Sequence, residues 1–362
     1  MTRMQELFEN GQSLWIDYIE REFISRGKLA EWIREGVRGL TSNPAIFQKA
    51  ISEGHAYDAD IAALAARGLT TEAIYEALAI ADIRAAADAF RPFFAASRGE
   101  DGYVSLEVNP ALADDARQTI LEAQRLHAAV ERPNLMIKIP ATAAGLAAIP
   151  QVVAAGISVN ATLIFNSRQY HQVAAAWCSG LEMLHARGQA LEGIASVASF
   201  FVSRLDTRLD PRLDQLNRSD LQGKLAVANA AAAFELGQEL HAAPRWRQLA
   251  DAGARRQRLL WASTGTKNTS YSDTLYVDEL IGPATVNTVP PATLAAWLDH
   301  GRTAAALPAA TATCKMALAA AAELGINLYS ETEALQAEGV AAFASSFTAM
   351  LQSVAAKQHA RS

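Results

Sequence analysis

Leu135-Met136-Ile137-Lys138-Ile139-Pro140-Ala141-Thr142 is the stretch whose reading decides the fold. Leu135 to Ile139 is a short apolar run ended by proline, the pattern of a strand covered on both faces. A lysine has no ordinary place inside such a run. Alternation puts Lys138 on the side of Met136, opposite Leu135 and Ile137. In a covered parallel sheet its amine is surrounded by apolar groups, which disfavour the charged form and leave some neutral amine. A neutral amine in an enclosed site is a nucleophile suited to Schiff-base formation with a carbonyl. The plainer reading is a strand-end lysine that reaches out to water.

Working outward, short strands and helices alternate. Strands are expected at Ser13–Tyr18, Val37–Pro44, Tyr103–Val108, Leu135–Ile139, Ile157–Phe165, Ile194–Phe200, Arg258–Ser263 and Ala284–Thr288. Helices are expected at Met4–Asn10, Glu20–Glu35, Ala45–Glu53, Thr71–Ala96, Ala111–Val130, Thr142–Ala155, Ser167–Gly188 and Lys224–His241. Thr274–Ile281 reads as short and helical, a further helix starts at Ala292, and the rest to Ser362 is mostly helical. The charge run Asp206 to Arg218 reads as a solvated loop or short helices. Alternating β and α implies a parallel sheet. About eight such units at this length suit an α/β fold, a single (β/α)8 TIM barrel domain over 1–362 with extra helices at both ends. A doubly wound open sheet is the runner-up, but no Gly-x-Gly-x-x-Gly follows any strand.

Composition narrows the class. The 362 residues carry 32 Lys+Arg and 38 Asp+Glu, a formal charge of −6, which argues against a nucleic-acid partner. Two distant cysteines, Cys178 and Cys314, are no disulfide framework and suit a cytoplasmic protein. The N-terminus has early acids and no signal-peptide pattern. The apolar segments Leu225–Leu236 and Ala304–Ile326 are interrupted by polar residues, so no membrane partner is expected. The histidines show no metal-ligand spacing, and no metal or organic cofactor is implied.

In a barrel, polar side chains at C-terminal strand ends face the active site. Those ends carry Asp17, Asn43, Glu107, Lys138, Asn160 with Thr162, Ser199, Ser263 and Asn287. Each alone has a structural explanation, such as a helix cap at Asp17, Asn43 or Ser199. Together they supply one amine, two carboxylates and several neutral hydrogen-bonding groups, the equipment of Schiff-base chemistry with acid/base help.

Gly39-Leu40-Thr41-Ser42-Asn43-Pro44, Ile137 to Thr142, Val159 to Phe165 and Ser199 to Arg204 resemble the signatures of the transaldolases, in the expected order. The length and Trp261 to Asn268 resemble the longer bacterial type. The resemblance implies a transferase of the non-oxidative pentose phosphate pathway, moving a dihydroxyacetone unit between sugar phosphates. It implies Lys138 as the Schiff-base lysine and Asp17 as the base for carbon–carbon cleavage. Glu107 and Thr162 would hold a proton-shuttling water, while Asn43, Asn160 and Ser199 would bind the three-carbon unit. Arg204 would take the phosphate, the alternative being a partner for Asp206 or Asp210. Shorter members carry Ser-x-Arg where this chain has Ser263-Thr264-Gly265-Thr266-Lys267, so Ser263 and Lys267 fall to that second phosphate position. Fructose 6-phosphate aldolases, which release dihydroxyacetone, carry tyrosine at the Phe201 position and glutamine at the Glu107 position. Phe201 and Glu107 therefore favour transfer. A non-catalytic sugar-phosphate-binding barrel would have lost Lys138 or Asp17. The partners implied are sugar phosphates, with the chain a monomer or homodimer. Phe343 and Phe347 are expected to pack in the core rather than cover the pocket.

Overall fold

In the computed structural model, which describes residues 1–359, eight parallel strands close into one barrel in sequence order. They are β1 (Gln12–Asp17), β2 (Leu40–Thr41), β3 (Val104–Glu107), β4 (Leu135–Pro140), β5 (Val159–Ile164), β6 (Ser196–Phe201), β7 (Arg258–Ala262) and β8 (Thr285–Val289). β8 pairs with β1 from Gln12↔Thr285 to Ile16↔Val289, which completes the circle and excludes the open sheet. Every residue of β4, β5 and β6 is buried, as continuous apolar runs require when helices cover the outer face. The fold is a (β/α)8 barrel with additional helices.

Strand-to-helix turns follow local chemistry. Asn43 caps Pro44–Glu53 by accepting from the Ile46 amide, with Pro44 in the first turn. Thr142 caps Ala143–Ala154 through the Gly145 amide. Gly145 is obligatory there, since a Cβ would lie 1.8 Å from the Pro140 carbonyl oxygen. This close turn starts the helix directly after the lysine strand.

Several elements differ from the sequence reading. The expected helix 20–35 is two, Arg21–Ser25 and Lys28–Glu35, because Gly27 adopts a φ of +79° between them. The expected helix 111–130 begins at Ala116, after a 3-10 turn at Pro110–Leu112, with Asp115 as its cap. Helices Asp58–Ala66 and Pro244–Asp251 were not anticipated. The charge run is a regular helix, Ser203–Gln215, with Asp206 and Asp210 buried rather than solvated. Asp206 and Asp210, four residues apart, share a face that turns inward against tyrosines of the β7–β8 connection, while Asp214, a turn further on, is exposed.

At the N-terminal end the barrel is closed by Asp101, which accepts from Ser13 Oγ, Trp15 Nε1 and Arg258 Nη2. At the C-terminal end the long helix Leu328–His359 crosses the mouth. Gln336 Nε2 donates to the carbonyls of Ala141 (3.0 Å) and Leu163 (2.9 Å), just beyond β4 and at the end of β5. Arg208 pairs with Glu331 and Glu338 of the same helix. Leu328–Gln358 is the one helix among the described residues long and apolar enough to cross a membrane. In the structure it lies against the barrel through those polar contacts. Residues 360–362, included in the helical expectation for the C-terminus, lie outside the described residues.

Candidate active site

Parallel register fixes which side chains meet. Glu107 pairs with Lys138 and Lys138 with Asn160, so the three side chains point to one face of the sheet in one layer. Lys138 is 4 % exposed, and its Nζ donates to the Ser42 carbonyl at 3.2 Å. Glu107 Oε2 lies 3.4 Å from Nζ, an ion pair by distance; the atom has no aligned hydrogen-bond donor, so the contact is one of charge. The Phe343 ring covers the amine with its centroid 5.4 Å from Nζ. Phe343 is buried in the core as expected, and it also covers the pocket. Phe347 packs edge-on against Tyr75 beside it.

A cavity of about 230 Å³ opens above this layer, lined by Asp17, Asn43, Lys138, Thr162, Ser199, Ser263, Arg204 and Lys267, with Phe201 and Phe343 as apolar walls. Asp17 accepts from Thr41 Oγ1 at 2.7 Å, and Thr41 meets Thr288 Oγ1 at 2.7 Å. Burial pushes the Asp17 carboxyl above the usual range, against the opposing pull of the Lys138 charge and the Thr41 hydrogen bond. Glu107 is pushed up to about 7, again by burial first, with Lys138 opposing and Asp17 adding. A carboxyl group poised near neutrality can both take and give a proton. Glu107 Oε2 and Thr162 Oγ1 are buried without hydrogen-bond partners.

Asn160 is fully buried below the cavity: its Nδ2 donates to Ser105 Oγ and its Oδ1 accepts from Ser199 Oγ at 2.7 Å. It reaches the cavity only through Ser199. Asn43 serves both as helix cap and as lining. Ser263, at a φ of +56°, meets Ser203 Oγ at 3.1 Å. Arg204 lies over Phe201, and burial lowers its affinity for the proton. Asp206 is satisfied by the Ala226 amide and Tyr276 hydroxyl, and Asp210 by the Tyr271 hydroxyl, so neither holds Arg204. The cavity thus carries one carboxyl group, a buried amine and two further cations. No group of three or more His, Cys, Asp or Glu among the described residues is placed to hold a metal ion.

Thr41, Ser105 and Gln336 also support this geometry. Thr41 lies in the Gly39–Pro44 motif, but only the position of Asp17 gives it a role. Gln336 sits on a distant helix with no motif, so no sequence signal marks it, whereas Phe343 is an aromatic of that helix whose place over the pocket the sequence left second to core packing.

Fold and site together define a (β/α)8-barrel enzyme whose buried strand lysine is flanked by carboxyl groups at the C-terminal mouth. Comparison with known proteins gives the particular family. The family model described as transaldolase/fructose-6-phosphate aldolase matches residues 14–354. Transaldolase 1 of Streptomyces avermitilis is 48 % identical over 357 residues, covering 97 % of this chain and 94 % of the relative. Transaldolase of Thermobifida fusca is 46 % identical, covering 97 % of each. Transaldolase of Neisseria gonorrhoeae is 44 % identical, covering 97 % of this chain and 99 % of the relative. The chain belongs to the transaldolase/fructose-6-phosphate aldolase family.

Proposed function

We propose that this enzyme is a transaldolase, moving a dihydroxyacetone unit between sugar phosphates through a Schiff base on Lys138. The observation that carries the reading is the amine of Lys138, held beside Glu107 and sharing one small cavity with Asp17 and two rim cations. The Lys138 amine passes a proton to Glu107 and adds to the C2 carbonyl of a ketose phosphate. Glu107 then protonates the departing hydroxyl, which leaves as water while the nitrogen lone pair forms the iminium. Asp17 takes the C4 hydroxyl proton, the C3–C4 bond breaks, and its electron pair passes into the iminium as an enamine. The aldose phosphate leaves; an acceptor aldehyde enters and the steps reverse. Ser199 and Asn43 bind the hydroxyls of the retained unit, Asn160 orients Ser199, and Arg204 and Lys267 bind the phosphate.

Sugar phosphates are the partners in this reading, and the cytoplasm its location, where Cys178 and Cys314 stay unpaired. The chain acts as one barrel domain with added helices. Phe201 and Phe343 wall the cavity with apolar rings, which shields the enamine from water between donor and acceptor. The test is fructose 6-phosphate consumption with and without erythrose 4-phosphate. Turnover that requires the acceptor and forms sedoheptulose 7-phosphate is expected. Dihydroxyacetone released at the same rate without acceptor would overturn transfer in favour of simple cleavage.

A further inference from the structure

A second cavity, of about 360 Å³, lies on the far side of Glu107 from the first. It runs between helices Thr71–Ala96 and Ala116–Val130 and ends at the top of β3. Its inner end is formed by Ser42, Asn43 and Glu107, and its outer end by Glu72, Gln118 and Arg125. The outer end reaches solvent, since Gln118 is exposed and Arg125 is half exposed in its pairs with Glu76 and Glu122. Glu107 lines this cavity and not the one that holds Asp17 and Lys138. Both polar groups that touch the Lys138 amine, the Ser42 carbonyl and the Glu107 carboxylate, therefore belong to residues of the second cavity. The amine itself lines the first. The wall between the two cavities is the place where the proposed imine forms.

Imine formation must expel one water, and imine hydrolysis must take one back. A bound sugar phosphate fills much of the first cavity, and Phe343 covers the amine from above. The second cavity is polar at both ends, large enough for several waters, and in contact with the acid that protonates the leaving oxygen. We propose that this cavity is a water site and conduit: the water lost from the Lys138 carbinolamine leaves past Glu107 into it, and returns by the same path for hydrolysis. The balance is the ordinary one. Amine, ketone and the Glu107 proton give iminium, Glu107 carboxylate and water. The cavity only decides where the water and proton go. Such a back door lets the front stay closed by Phe343 and the sugar while the imine equilibrates.

The inference rests on the Schiff-base reading, and its test separates the two. Fructose 6-phosphate is incubated with enzyme in H2¹⁸O without acceptor. Oxygen exchange at C2 is followed by mass spectrometry, and the imine present is measured by borohydride trapping on Lys138. Ile80→Trp and Leu112→Phe each fill the second cavity from a partly exposed position on a different element, and thermal melting checks that each is folded. The expected result is a several-fold drop in exchange relative to the wild type, with the equilibrium yield of trapped imine unchanged, because expelled water is returned before it can escape. A folded variant with wild-type exchange and wild-type trapping would overturn the conduit and leave the Schiff base standing. Absence of a Lys138 adduct in the wild type would overturn the Schiff base, and the conduit with it.

Discussion

In the proposed mechanism Lys138 reacts as an amine because of what surrounds it, and each neighbour has a separable effect. Asp17 shares its cavity and Glu107 touches it from behind, and the proposed mechanism divides the proton work between these two carboxyl groups. Asp17→Ala should leave the imine intact but slow cleavage by roughly 10²–10⁴-fold. Borohydride trapping in that variant should yield a six-carbon adduct; a three-carbon adduct at the wild-type rate would remove Asp17 from the step. Glu107 keeps its proton up to about 7, where an ordinary glutamate is ionised. The acid needed to expel water is thus present below that pH and lost as pH rises through it. Pre-steady-state imine formation should fall on the alkaline side of neutrality in the wild type, and that limb should vanish in Glu107→Gln. These residues were legible in sequence because each is a polar side chain ending an apolar strand. Asn160 is of the same type, yet it is spent on Ser105 and Ser199 below the cavity, which only the strand register reveals.

Among the elements, the C-terminal helix and the helix Ser203–Gln215 support the site from outside the barrel. Gln336 reaches back 195 and 173 residues to hold the Ala141 and Leu163 carbonyls. Leu163 sits at a φ of +58°, a conformation that costs a branched residue about 1–3 kcal/mol and persists only when neighbours impose it. Gln336→Leu should let this segment relax, lowering kcat as Thr162 shifts, and should cost about 1–3 kcal/mol for the unpaired carbonyls. Steady-state kinetics and thermal melts check this; both unchanged would separate the helix from catalysis. Asp206 gives a pH test. Burial raises its carboxyl from 3.8 to about 7, so its contribution to stability is full below about 4 and is lost as pH rises toward 7. The wild type should therefore melt above Asp206→Asn most clearly near pH 4, with the gap narrowing toward pH 8; a pH-independent gap would contradict the assignment. The alternation of strand and helix was readable, because each element carries its own period and caps. The inward face of Ser203–Gln215 was not, because a charged face becomes buried only when tyrosines from another element meet it.

The whole molecule separates stability from chemistry along the barrel axis. Asp101 and Arg258 tie the N-terminal end together, while the Lys138 amine, the Asp17 and Glu107 carboxyl groups, Arg204 and Lys267 lie at the other. Closure of the barrel depends on β8 meeting β1, a pairing across 273 residues at Gln12 and Thr285 that no local pattern encodes. The C-terminal helix was foreseen as a helix, yet its place over the mouth follows from contacts with turns far away in the chain. What unites fold and function is one amine in one layer of side chains. Incubation with fructose 6-phosphate, borohydride reduction and peptide mass mapping tests that claim most directly. A three-carbon adduct is expected on Lys138 and on no other lysine, and none in Lys138→Ala. A folded wild-type protein without an adduct, or with one on another lysine, would contradict it.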